Sequence, residues 1–143
     1  MHTVQQILKR KEIDKIFAVA PDDTVFEAIQ LMAEKHIGAV LVMEDDELKG
    51  ILSERDYARE VILKGRASRE TLVGQIMSSE VITVSPTQGV HDALTLMSNN
   101  RIRHLPVVVD GAVVGMVSIG DLVKDVIDAQ QQTIQELENY IRG

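Results

Sequence analysis

Two segments place a serine and an aspartate three residues apart directly after a short apolar run: Gly50-Ile51-Leu52-Ser53-Glu54-Arg55-Asp56 and Gly115-Met116-Val117-Ser118-Ile119-Gly120-Asp121. Glycine, serine and aspartate recur with one displacement of 65 positions. Serine at a helix N-cap with an acid at N3 is a capping arrangement, worth about 1 kcal/mol. The same pair can also bind. A helix N-terminus beyond a strand exposes N–H groups, the serine hydroxyl adds a donor suited to phosphate, and a carboxylate one turn later accepts two hydrogen bonds from a vicinal diol such as that of a ribose. Capping alone does not explain why both residues recur together behind a glycine-opened strand.

The elements that must position these residues recur as well. Val19 pairs with Val84, Pro21 with Pro86, Val25 with Val90, Ala28 with Ala93, Met32 with Met97, Ile37 with Ile102, Val42 with Val107 and Asp45 with Asp110, without a gap. Self-similarity of that kind marks an internal repeat. In the first half, 16–19 reads as a strand stopped by Pro21, and Thr24 with Glu27 as a capping box opening a helix that Gly38 ends. Strands follow at 39–43 and 48–52, then a helix from Ser53 to about Leu63 with Tyr57, Ala58, Val61 and Ile62 inward. The second half repeats this with strands at 81–84, 105–109 and 113–117 and a hairpin turn at Asp110-Gly111. Thr3 with Gln6 opens a short helix before the first half, which the run Lys9-Arg10-Lys11 closes at its negative end. Residues 71–77 read as a brief helix before the second half. The fold class is therefore α+β, a tandem β-α-β-β-α duplication whose two units would pack through their sheets with pseudo-twofold symmetry. The domain division expected is 1–66, N-terminal helix plus first repeat, and 67–143, second repeat plus a long C-terminal helix.

Composition bounds the chemistry. The chain has 143 residues, no cysteine, 3% aromatics and a formal charge of −7. Disulfides, thiolate metal sites and a cysteine nucleophile are excluded, and general attraction to nucleic acid is disfavoured. No leader-like N-terminus and no apolar run of about 20 residues is present, which points to a cytoplasmic chain without membrane association. His2, His36 and His91 lack the spacing of a metal site, and the methionines lie in apolar patterns that suit core filling. No phosphate-binding loop, dinucleotide fingerprint or nucleophile elbow is present, and Ser118 lacks a base to activate it; an enzyme is not expected. On the last helix, Ile127, Gln130, Ile134, Leu137 and Ile141 form a seam that would pack either on the same chain or on a second copy.

With the two Gly-x-x-Ser-x-x-Asp segments, the run Ile102-Arg103-His104-Leu105-Pro106-Val107 and the duplication in view, the sequence resembles a pair of CBS domains, the tandem called a Bateman module, in a stand-alone bacterial-type protein. The resemblance covers about Asp14 to Asp125. It implies a regulatory module that binds an adenine nucleotide (AMP, ADP, ATP or NAD(H)) in clefts between the repeats, as an energy or redox signal passed to a protein partner, and a homodimer as the working form. In one cleft it assigns Asp121 to the ribose hydroxyls, Ser118 and Arg103 to phosphate, and Ile37, Gly38 and Ala39 with Ile13, Asp14 and Lys15 to the adenine. The second cleft would use Ser53, Arg55 and Asp56 with Ile102, Arg103, His104, Ser79, Glu80 and Val81, and Thr83 is a further candidate. The halves differ: Gly38-Ala39-Val40-Leu41 stands where the second repeat has Arg103-His104-Leu105-Pro106. The rival reading is a ligand-independent dimerisation or interaction module.

Overall fold

The two halves share an order of elements, except that the second has only a bridge where the first has its opening strand. The computed structural model describes residues 2–11 and 16–143; Ile13, Asp14 and Lys15 lie outside the described residues. Helix α1 (Val4–Arg10) leads, followed by β1 (Ala18–Val19), α2 (Val25–Lys35), β2 (Ala39–Glu44), β3 (Glu47–Ser53) and α3 (Glu54–Tyr57). The second series is α4 (Val73–Ile76), α5 (Val90–Asn100), β4 (His104–Val109), β5 (Ala112–Ser118) and α6 (Ile119–Arg142). Sheet order is β1-β2-β3 in one sheet and β4-β5 in the other, the mixed α+β class expected. Strand β1 runs parallel to β2, and β2 pairs antiparallel with β3 so that Ala39 lies opposite Ser53. No helix among the described residues is long and apolar enough to cross a membrane.

The chain forms two compact units, Lys15–Ile82 with Asp110–Val114, and Met1–Asp14 with Thr83–Val109 and Gly115–Gly143. This differs from the division at 66/67, because α1 belongs with the second repeat. Its backbone explains why: Val4 N–H donates to the Gln88 carbonyl and Gln5 N–H to that of Pro86, both at 2.9 Å. Helix α4 does the same within the other unit, Val73 N–H to Asp23 at 2.8 Å and Gly74 N–H to Pro21 at 2.9 Å. Each repeat is thus closed by a short leading helix whose free N–H groups find carbonyls at the Pro turn, a helix-end requirement met between segments distant in sequence for α1.

The apolar stripes bury as read. Val25, Ala28, Met32, Val40, Val42, Leu52, Val61, Val73 and Ile76 form one core cluster. In the other unit Val4, Val90, Ala93, Met97, Leu105, Val107, Val117 and Leu122 are buried. Each such large aliphatic side chain contributes about 1.5–3 kcal/mol through area removed from water.

Several local expectations are corrected. Helix α2 ends before Gly38, at His36, which takes the left-handed conformation (φ 55°), and Arg101 does so after α5 (φ 54°). The Thr24–Glu27 box is half made: Glu27 N–H donates to Thr24 Oγ1 at 3.2 Å. Residues 81–84 give only the bridge Val84–Val107 instead of a strand. After Tyr57 the helix widens into one π-helical stretch, Ala58–Ile62; Val61 stays buried while Ala58 and Ile62 turn outward. Both hairpins use left-handed turn residues, Asp45-Asp46 and Asp110-Gly111.

The glycine that opens each Gly-x-x-Ser-x-x-Asp segment is needed for close approach. A Cβ on Gly115 would lie 2.8 Å from Leu8 Cδ2, a movable side-chain tip. On Gly50 it would lie 2.7 Å from Met77 Sδ and 2.8 Å from the Ser78 carbonyl oxygen, and Ser78 is fixed by its bridge to Ile51. Gly50→Ala is therefore expected to cost about 1–3 kcal/mol, and Gly115→Ala clearly less. Urea unfolding of both variants checks this; equal losses would contradict it.

Candidate functional site

In the unit that contains α6, Ser118 ends β5 in extended conformation and caps the helix. Asp121 N–H donates to Ser118 Oγ at 3.2 Å and Ser118 N–H donates to Asp121 Oδ2 at 2.8 Å, a reciprocal capping box. The Ile119 N–H donates to the Arg103 carbonyl at 2.8 Å. That bond brings the residues just before β4 to the helix start, so Arg103, His104, Ser118 and Asp121 share one neighbourhood. Arg103 is exposed, while His104, Ser118 and Asp121 are partly buried.

A residue not singled out for the site from sequence completes it. Lys11, at the end of α1, donates from Nζ to Asp121 Oδ2 at 2.9 Å and to the Met116 carbonyl at 3.0 Å. Burial alone would push the Asp121 carboxyl up, but the Ser118 N–H and the Lys11 ammonium outweigh it and hold the group below the usual aspartate range. A depressed folded-state value means that its contribution to stability is present above the ordinary aspartate value and is lost as pH falls through the depressed one. Burial holds the His104 imidazole below its usual range, with Lys11 and Arg103 adding to the effect against the attraction of Asp121. Near neutral pH His104 is uncharged, and the cation paired with Asp121 is Lys11.

A second ion cluster fixes α1 to α6. Asp125, 5% exposed, accepts from Arg10 Nη1 at 2.7 Å and pairs with His2 Nδ1 at 2.8 Å. The sequence carried a signal for it: an acid three residues after Leu122 falls on the inward face of the helix. A pocket of about 420 Å³ lies beside both clusters, with Ile7, Lys11, Asp121, Lys124 and Asp125 on its walls.

The other unit holds the pseudo-equivalent start. Ser53 N–H donates to Asp56 Oδ2 at 2.9 Å, Asp56 N–H donates to Ser53 Oγ at 3.2 Å, and Glu54 N–H donates to the Gly38 carbonyl at 3.0 Å. Gly38 thus occupies the place of Arg103 and brings no charge. Among the described residues no cation pairs with Asp56. Arg55, Ser79 and Glu80 are exposed, Ile37 and Val81 are half-buried, and Ala39 is fully buried in β2. Of the remaining assignments, Ile102 and Thr83 lie in the α6 unit, with Thr83 exposed and on no strand.

Comparison with known proteins yields a consistent match. A family model described as CBS domain matches residues 4–63 and 73–128. The chain is 46% identical over 127 residues to the Arabidopsis thaliana CBS domain-containing protein CBSX3, mitochondrial, covering 85% of this chain and 62% of that protein. It is 38% identical to the Bacillus subtilis CBS domain-containing protein YhcV, covering 76% of each. The chain therefore spans less than two thirds of the plant relative's length. A solved Burkholderia ambifaria protein with CBS domains superposes with a TM-score of 0.87 at 49% identity, covering 90% of this chain and 96% of that one.

Proposed function

The chain belongs to the CBS domain family, and from that premise we propose that it is a regulatory module that binds an adenine nucleotide at its Ser-x-x-Asp helix starts. Proteins with paired CBS domains are commonly regulatory and ligand-binding. The ligand is AMP, ADP, ATP or NAD(H), read as a signal and not transformed, and the output goes to a protein partner. The setting is cytoplasmic and the working form a homodimer. One observation supports the reading: a helix N-terminus, a serine hydroxyl and an ionised carboxylate meet at the start of α6, and the backbone of Arg103, whose side chain is exposed, is bonded to that start. These are the groups that a nucleoside phosphate requires, diol to carboxylate and phosphate to cation and N–H.

Binding to the folded state alone adds about 2.7 kcal/mol at a hundredfold excess over Kd. In ligand-stripped protein AMP, ATP and NAD(H) should therefore raise Tm, and a pyrimidine nucleotide should not. Arg103→Ala should weaken AMP and ATP while sparing adenosine. Calorimetry that found equal losses for adenosine and AMP in Arg103→Ala would refute the phosphate assignment.

The second reading, a ligand-independent dimerisation module, is favoured by the seam on α6. Ile127, Ile134, Leu137 and Ile141 are 48, 55, 57 and 81% exposed. The two readings share the seam and part at the nucleotide: mass spectrometry of the purified protein separates them by the presence or absence of co-purifying nucleotide.

A further inference from the structure

The two repeats close their Ser-x-x-Asp starts by different means. In the first, α4 ends at Ile76 and the chain pairs at once with β3, Ile51 and Ser78 exchanging both backbone hydrogen bonds at 3.0 Å. In the second, α1 continues to Arg10, and Met116 stands 65 positions on from Ile51. The Met116 carbonyl accepts from Lys11 Nζ at 3.0 Å, a side chain in place of a backbone N–H. The same ammonium lies 2.9 Å from Asp121 Oδ2, the oxygen that already accepts the Ser118 N–H. The Lys11 and Asp121 side chains are 34% and 25% exposed, shielded enough for a real attraction and open enough to be broken.

We propose that Lys11 is a specificity latch on the second site: in the ligand-free protein its ammonium occupies the Asp121 carboxylate, and a ligand that takes this carboxylate must release it. The inference rests on the reading of Asp121 as a ligand-binding carboxylate and adds what that site selects. An uncharged nucleoside would leave the displaced ammonium without a counter-ion. A nucleoside phosphate supplies one, since the flexible four-carbon stem lets the ammonium follow the new charge. Arg10 stays on Asp125, so the body of α1 remains anchored while Lys11 moves. The Asp56 site has no such cation among the described residues and does not select in this way.

The test uses Lys11→Met and Lys11→Arg in an Asp56→Ala background, so that only the second site is read. Carbon-detected NMR follows the titration of the Asp121 carboxyl without any ligand, and calorimetry follows adenosine and AMP. Expected for Lys11→Met are an Asp121 carboxyl that titrates at higher pH, adenosine bound about fivefold more tightly, and AMP bound no more tightly. Lys11→Arg should keep the parent behaviour. An unchanged Asp121 titration overturns the latch, as does an equal shift for adenosine and AMP; both leave the nucleotide reading standing. Absence of binding in parent and variants alike overturns the nucleotide reading, and the selectivity role with it, even where the Asp121 titration moves.

Discussion

Asp121→Ala is expected to weaken adenosine and AMP alike by about 2 to 4 kcal/mol, the loss of two charge-assisted hydrogen bonds to a ribose diol. Equal loss for the two ligands is the signature, because both carry the same diol and differ only in phosphate. The substitution also removes half of the capping box and the partner of Lys11. Its stability cost is about 1 kcal/mol for the cap, small enough for the protein to stay folded during a binding experiment. Calorimetry at a temperature well below the variant's Tm therefore reads binding and not folding. A loss confined to AMP would move Asp121 from the ribose to the phosphate end of the ligand. Undiminished binding of both would remove it from the site.

Leu105→Ala is expected to cost about 3 kcal/mol of stability and to lower Tm by about 10 °C. Leu105 is fully buried on β4, one residue after His104 and two after Arg103. Its neighbour Pro106 accepts the Val84 N–H at 3.0 Å, and Val84 in turn accepts from Val108 at 2.9 Å. The strand begins at the residues that flank the helix start. Differential scanning calorimetry checks the expectation. A shift of only one or two degrees would mean that the unit collapses around the lost side chain.

What was legible in the sequence was what local chemistry decides. Ser53 and Ser118 cap their helices through Asp56 and Asp121 because N-cap and N3 are three residues apart on one turn. The apolar stripes of α2 and α5 and the hairpin at Asp110-Gly111 follow from period and turn geometry for the same reason. The nearness of Arg103 to Ser118 came only from the family resemblance; in the structure the bond of Glu54 to the Gly38 carbonyl recurs in the second half as that of Ile119 to Arg103.

What depends on long-range packing was not legible. The run Lys9-Arg10-Lys11 reads as complement to a helix's negative end, yet Arg10 and Lys11 find Asp125 and Asp121 more than a hundred residues away. Nothing in the spacing specifies such pairs. Grouping α1 with the first repeat was the default of chain proximity, and the carbonyls at Pro86 and Gln88 override it. Arg101 is not a residue that propensity places in the left-handed region, although His36 is of a type enriched there; the helix end puts both there at matching positions of the repeats. The π-helical widening after Tyr57 likewise shifts which side chains face inward, and no 3.6-residue period could have shown it.

The binding proposed is that of an adenine nucleotide at an ionised Asp121 beside Ser118. It is tested most directly by isothermal titration of protein stripped of ligand by unfolding and refolding, with AMP, ATP, NAD(H) and a pyrimidine nucleotide in turn. Saturable binding of at least one adenine nucleotide is expected, weakened in Asp121→Ala and absent with the pyrimidine. No binding of any adenine nucleotide at millimolar concentration would contradict it.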